Sequence, residues 1–176
     1  DGKATYTGLP TDGGAKVFVT TPESGYTIRY REYGSSSWKT TMPKFTNAGY
    51  YTIEYSITAE GFSPKTGTVN ILIEKATASD STYPIITGYE WIYGGGEYTP
   101  SVTNLTDGDG SPNWQFVSAQ VTYSTFDSYA INEEVKTLPS IGAPGELRLS
   151  NFVFRDTTGN HENITVNRFA LSSKVD

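Results

Sequence analysis

The chain contains no cysteine and one histidine, His161, among its 176 residues. Without cysteine it can form no disulfide, so each folded unit has to be held together by its core alone. Thiol catalysis is excluded for the same reason. A single histidine also removes most zinc sites, because zinc is bound chiefly by cysteine and histidine side chains.

The sequence also lacks a long apolar run and a cluster of basic residues. No stretch approaches the roughly 18 apolar residues of a membrane-spanning helix. The 13 Lys and Arg residues are scattered and the formal net charge is −6, which argues against binding to nucleic acid or to an anionic membrane. The chain begins with neither Met nor a signal peptide, so we expect a processed or excised segment whose targeting signal has been removed.

Alternation of apolar and polar residues with a period of two dominates the sequence, whereas no helical period persists. Turn signals rich in Gly, Pro, Asn and Ser separate the alternating segments at about the length of one strand. Aromatic residues make up 14% of the chain, with 13 Tyr, a residue suited to half-buried sheets. The pattern predicts an all-β protein. In the first half it predicts these inward rows: Val17 and Val19; Tyr26, Ile28 and Tyr30; Tyr51, Ile53, Tyr55 and Ile57; Val69, Ile71 and Ile73.

The second half predicts further strands and an internal division of the chain. Short matches such as Thr68-Val69-Asn70 and Thr165-Val166-Asn167 indicate a loose tandem repeat. We therefore predict one module over residues 1–76, a polar linker over 77–82 and a second module with longer loops over 83–176. In the second module the alternation places Val117, Ala119, Val121 and Tyr123 on one face. It places Leu147, Leu149 and Val153 opposite Phe152 and Phe154.

Two stretches of the first module are distinctive, residues 43–55 (PKFTNAGYYTIEY) and residues 67–76 (GTVNILIEKA). With Tyr6-Thr7-Gly8, Tyr30, Trp38 and Gly61-Phe62, they resemble the bacterial immunoglobulin-like repeats found in tandem in large secreted and cell-surface proteins. The resemblance covers residues 1–76 and is fainter over 83–176. It implies two immunoglobulin-like β-sandwiches in series, an extracellular or cell-surface location and a role as spacer or adhesive unit. It brings no catalytic residues with it.

An acidic loop in the second module suggests a calcium site. Asp107, Asp109 and Ser111 alternate as oxygen ligands of a hard cation would in a flexible loop. The EF-hand pattern fails, because Pro112 stands where glycine is required and Ser118 where the bidentate glutamate should be. An ordinary acidic turn is the favoured interpretation, with calcium as the alternative and no other cofactor expected.

A row of aromatic residues suggests a ligand-binding surface. Tyr89, Trp91 and Tyr93 would share one face of a strand, where flat rings can stack against sugars. A hydrophobic core row is the favoured interpretation, because aromatic rows usually face inward. Trp114, beside the acidic loop, is the second candidate for an exposed ring.

Catalytic constellations have little support in the sequence. His161 lies among Asn160, Glu162 and Asn163, and we expect it to be a solvated loop residue without the buried partner that a triad histidine needs. We therefore expect a non-catalytic spacer or adhesive module of a secreted or surface protein. Two alternatives remain open: a carbohydrate-binding module that uses the aromatic residues above, and a subunit of an extracellular filament or virion surface that self-associates through edge strands.

Overall fold

The computed structural model describes residues 1–88, 90–92, 100–106, 112–125, 129–138 and 145–167. Within these residues the protein is all-β with several sheets, which confirms the predicted class and is consistent with a β-sandwich. The described part contains no α-helix, and none of its helical segments is long and apolar enough to cross a membrane. The chain divides into two compact units, Asp1–Ala76 and Thr77–Asp176.

The first unit is built on one four-stranded sheet. Its strands are β1 (Gly2–Thr5), β2 (Tyr26–Glu32), β3 (Gly49–Ala59) and β4 (Lys65–Glu74). They lie in the order β1-β4-β3-β2, with β1 and β4 parallel and the other pairs antiparallel. The first and last strands of the unit are therefore neighbours that run in the same direction.

The core of the first unit lies on one face of this sheet. Ile53, Val69, Ile71 and Ile73 are almost fully buried there, as the alternation predicts. Extended chain covers them, including residues 15–20, where Ala15 is buried while Val17 and Val19 are half-buried. Ala15 and Val17 pack into this core, which confirms the inward prediction for Val17, but residues 15–20 form no strand. The segments that cover the sheet are held by isolated bridges, Thr11 to Phe45 and Tyr30 to Lys39.

The second unit has a larger, wholly antiparallel sheet. The strands of the second unit are β5 (Ile85–Thr87), β6 (Glu90–Ile92), β7 (Ser101–Thr103), β8 (Trp114–Thr125), β9 (Tyr129–Val135), β10 (Gly145–Asp156) and β11 (Ile164–Val166). In the larger sheet the order is β9-β8-β10-β11, with β6 also paired to β10. Strands β5 and β7 form a separate two-stranded sheet. This order differs from that of the first unit, so the described strands give no support to a strict structural repeat.

Two compensating bulges change which side chains of β8 and β10 face the core. β10 carries one extra residue near Asn151, whose φ is 50°, and β8 carries one near Val117. Because each bulge reverses the alternation, Leu149, Phe152 and Phe154 are all fully buried in the same core. The predicted opposition of Leu149 to the two phenylalanines is therefore wrong. Val117 is 40% exposed while Ala119 and Val121 are buried, so their predicted common face is also wrong.

The segment predicted to be a linker packs onto the second unit. Ala78 is buried in the core of that unit, and Asp80–Thr82 form a 3-10 turn. The polar composition of residues 77–82 does not indicate this packing, because one buried alanine and one turn are enough to attach so short a segment. The second unit thus begins directly after Ala76.

We predict that Gly2→Ala destabilises the first unit by about 2 kcal/mol. Gly2 is buried, and a methyl group there would meet the carbonyl oxygen of Asp12 and lie 2.9 Å from the Cβ of Ala15. Native-state hydrogen exchange of the β3 and β4 amides measures the stability of this unit. Thr5→Ala, at an exposed position of the same strand, is the control. Equal exchange in both variants would contradict the tight packing of β1.

Candidate functional site

The aromatic surface predicted at residues 89–93 lies largely outside the described residues. Tyr89 and Tyr93 are among the residues that the structure does not describe. The backbone of Trp91 lies in β6 and pairs with Leu147 of β10. A ligand-binding role for this row stays a prediction.

Trp114 is buried, with 3% of its surface exposed, so the prediction of an exposed ring at this position is wrong. Its indole nitrogen donates a hydrogen bond of 2.8 Å to the carbonyl of Thr82, and its ring packs edge-on against Tyr83. Trp114 begins β8 on the inward face, and a buried indole N–H needs such an acceptor. The residue therefore anchors the segment before β5 to the core rather than offering a platform for a ligand.

Asp156 lies opposite Trp114 at the end of β10 and organises the turn that follows. Its carboxylate is fully buried and accepts hydrogen bonds of 2.6 to 3.2 Å from five groups besides the imidazole of His161. The donors are the amides of Asn113, Thr158, Asn160 and His161 and the hydroxyl of Thr158. One buried charge thus joins the turn between β10 and β11 to the start of β8.

The electrostatics of Asp156 favour its ionised form. Burial by itself would raise the pKa of the carboxyl, but the hydrogen bonds from Thr158, Asn113 and His161 outweigh it. They hold the pKa of Asp156 well below its ordinary value. A carboxylate so firmly deprotonated is poorly suited to general acid–base catalysis near neutral pH. Its evident effect is structural.

His161 is not the solvated loop residue that the sequence predicts. Its side chain is 11% exposed, and its Nδ1 lies 3.1 Å from the buried Oδ2 of Asp156. An ionised carboxylate can only accept a hydrogen bond, so this contact places a proton on Nδ1. The nearby hydroxyl of Thr158 donates to the same carboxylate rather than to the imidazole. The contacts of Asp156 with Thr158 and His161 are those of a hydrogen-bonded turn.

A signal for this cluster exists in the sequence. Once the bulge has set the faces of β10, Phe152, Phe154 and Asp156 alternate along the strand, so the acid points into the core with the two rings. A buried acid followed three residues later by Gly159, whose φ is 77°, fits a turn in which the carboxylate accepts bonds from the backbone amides that follow it. The bulge itself cannot be seen in the sequence pattern.

The calcium candidates Asp107, Asp109 and Ser111 lie outside the described residues. Across the described ranges, no group of three His, Asp or Glu side chains is placed to hold a metal ion. An open groove of about 540 Å³ runs between residues 80–86 and residues 165–167. Asp80 is the one carboxylic acid among its described lining residues, so these residues do not supply the pair of acids used in glycoside hydrolysis.

We predict that Asp156→Asn lowers the free energy of unfolding of the second unit by about 3 kcal/mol at pH 7, since an amide cannot satisfy six donors. The folded-state pKa of Asp156 is depressed, so its stabilisation is present at neutral pH. That stabilisation should fade as the pH falls below the ordinary aspartate value of about 4. The difference between parent and variant should therefore narrow in acid.

Urea unfolding followed by tryptophan fluorescence measures this effect. In a Trp38→Phe background the remaining tryptophans, Trp91 and Trp114, both belong to the second unit. Glu162→Gln, an exposed change in the same turn, is the control and should alter stability little. A loss in Asp156→Asn that is the same at pH 7 and pH 3 would show that the ionised carboxylate is not the stabilising species.

No family model, curated protein or solved structure matches the chain. Its function therefore has to be inferred from its own residues and geometry.

Proposed function

We propose that the chain is a non-catalytic pair of immunoglobulin-like modules of a secreted or cell-surface protein, acting as a spacer that carries tension and presents a binding surface. The observation that carries the proposal is the parallel pairing of β1 with β4, the strands by which the chain enters and leaves the first unit. The sequence resemblance of residues 1–76 supports the immunoglobulin-like type and the extracellular location.

The register of this pair determines how an external force would load it. Gly2 pairs with Ile71 and Thr5 with Glu74, so the chain enters at one end of the ladder and leaves at the other. Tension along the chain therefore pulls the two strands past each other in shear. In shear the ladder hydrogen bonds are loaded together, whereas strands pulled apart from one end lose their bonds one at a time.

Contacts at both ends reinforce the β1–β4 ladder. The Asp1 carboxylate accepts a hydrogen bond of 2.7 Å from the amide of Asn70, and the amide of Tyr6 donates one of 2.8 Å to the carbonyl of Glu74. Lys3 Nζ forms an ion pair of 2.8 Å with Glu74 across the two strands. The exposed ion pair contributes little to equilibrium stability. The hydrogen bonds lengthen the region that has to shear as a unit.

We predict that the unfolding force of the first unit is about twofold or more higher when the chain is pulled in shear than when the same strands are unzipped. The unfolding force depends on the unfolding rate in each pulling geometry. Because the chain has no cysteine, introduced cysteines provide unique attachment points. A cysteine appended before Asp1 combined with Lys75→Cys loads β1 and β4 in shear. Thr7→Cys combined with Lys75→Cys loads the same strands from one end. Single-molecule pulling measures the unfolding force of each.

The two attachment variants are matched, since both keep the core and the β1–β4 ladder and change only exposed positions at Thr7 and Lys75. Hydrogen exchange of β4 should confirm equal equilibrium stability before force is applied. Equal unfolding forces in the two geometries would contradict the proposed load-bearing role.

A further inference from the structure

The outer face of the sheet in the first unit, opposite its core, presents side chains in rows fixed by the strand register. One row contains Lys3, Leu72 and Tyr50, on β1, β4 and β3. The next contains Asn70 of β4 and Thr52 of β3, which pair directly. The amide of Tyr33 donates a 3.0 Å hydrogen bond to the carbonyl of Thr52, which continues the β2–β3 register and adds Tyr33 to this row.

Two tyrosines therefore flank Thr52 on the same face. Tyr50 precedes Thr52 by two residues on β3, and Tyr33 lies across from it. Diagonal neighbours of this kind are about 7–8 Å apart, within reach of one extended ligand. Tyr33 is 72% exposed and Tyr50 is 66% exposed, although both belong to a residue type that packs readily. Tyrosine gives large, rigid contact area at a low cost in conformational entropy.

Hydrogen-bonding groups lie between and beside the two rings. The Thr52 hydroxyl donates a bond of 3.1 Å to the side-chain oxygen of Asn70. This contact leaves the amide nitrogen of Asn70 as a donor and the oxygen of Thr52 as an acceptor. Both side chains are half-buried, so the sheet holds them in place. Fixed donors and acceptors beside exposed rings suit a ligand that has both apolar faces and hydroxyl groups.

Two ion pairs lie on this face, and the Asp1 carboxylate at its β1 edge accepts a hydrogen bond from the backbone amide of Asn70. Lys3 binds Glu74 at 2.8 Å, and Arg31 binds Glu54 at 2.7 Å. The guanidinium of Arg31 also stacks over Trp38, 4.4 Å from the ring centre. Because each of these cations has its own anion, the four side chains create little net field. They therefore favour a neutral ligand over an acidic or basic one.

We propose that this face, defined by Tyr33, Tyr50, Thr52 and Asn70, binds a chain of neutral sugars. The tyrosine rings stack on the sugar rings, while Thr52 and Asn70 bind their hydroxyl groups. A protein partner fits less well, because the core of a protein interface is apolar. On this face the only apolar side chain in the row of Tyr50 is Leu72, which is half-buried. This inference names the ligand of the binding surface in the proposed function, and so rests on that function.

Affinity electrophoresis of the full chain tests the proposal. Native gels contain one of the neutral polysaccharides dextran, hydroxyethyl cellulose, mannan or arabinoxylan, and an alginate gel provides an acidic comparison. We expect at least one neutral polysaccharide to retard the chain. Tyr33→Ala and Tyr50→Ala should each weaken that binding about tenfold, as loss of a stacking residue does elsewhere, and the double variant should migrate as in a plain gel.

Tyr26→Ala is the matched control, because Tyr26 is also exposed but lies on the opposite face of β2 and should leave binding unchanged. Circular dichroism should show that all variants are folded, as expected for exposed positions. Absence of retardation in all four neutral gels, equal retardation of the double variant, or retardation by alginate alone would each overturn the proposal. None of these outcomes bears on the unfolding forces, so a failure of this site and a failure of the load-bearing role can be told apart.

Discussion

In the first unit, the parallel ladder between β1 and β4 joins the point where the chain enters to the point where it leaves. The other features of this unit depend on that ladder. It makes β4 an interior strand, as β2 does for β3, and Ile53, Val69, Ile71 and Ile73 of these two strands are buried on one face. It also leaves the opposite face as a flat, ordered surface on which Tyr33 and Tyr50 are displayed. The proposed load-bearing role therefore uses the β1 edge of this sheet, and the proposed binding role uses the face opposite its core.

The second unit is stabilised in a different way, through one buried charge. Asp156 joins the turn after β10 to the start of β8, beside the buried indole of Trp114. A buried carboxylate with six donors is stable only while it is ionised, so this unit should be the more sensitive of the two to acid. The absence of cysteine makes such internal contacts necessary, because neither unit has a disulfide to restrain its unfolded chain.

The sequence allowed β2, β3 and β4 of the first unit to be predicted because period-two alternation is unbroken in those segments. It did not predict β1, and the alternating residues 15–20 form no strand. The inward rows at Ile53 and at Val69, Ile71 and Ile73 follow from it directly. In the second unit the bulges near Val117 and Asn151 reverse the alternation, and only the pairing of β8 with β10 reveals them. The burial of Trp114 was missed because its acceptor, Thr82, is 32 residues away along the chain. The burial of His161 was missed because it depends on Asp156, which faces the core only after the bulge in β10. The surface at Tyr33 and Tyr50 was missed for a similar reason, since Tyr33 follows the last residue of β2 and reaches that face only through its bond to Thr52.

The most direct test of the proposed spacer role is the extension of the whole chain under force, with cysteine attachment points added before Asp1 and after Asp176. Two compact units in series along the chain should unfold in two separate steps. These should release roughly 250 Å and roughly 300 Å of extended polypeptide, as units of about 76 and 100 residues allow. A single step that releases both lengths at once, or extension without any force peak, would contradict the conclusion that the chain carries tension through two independent units.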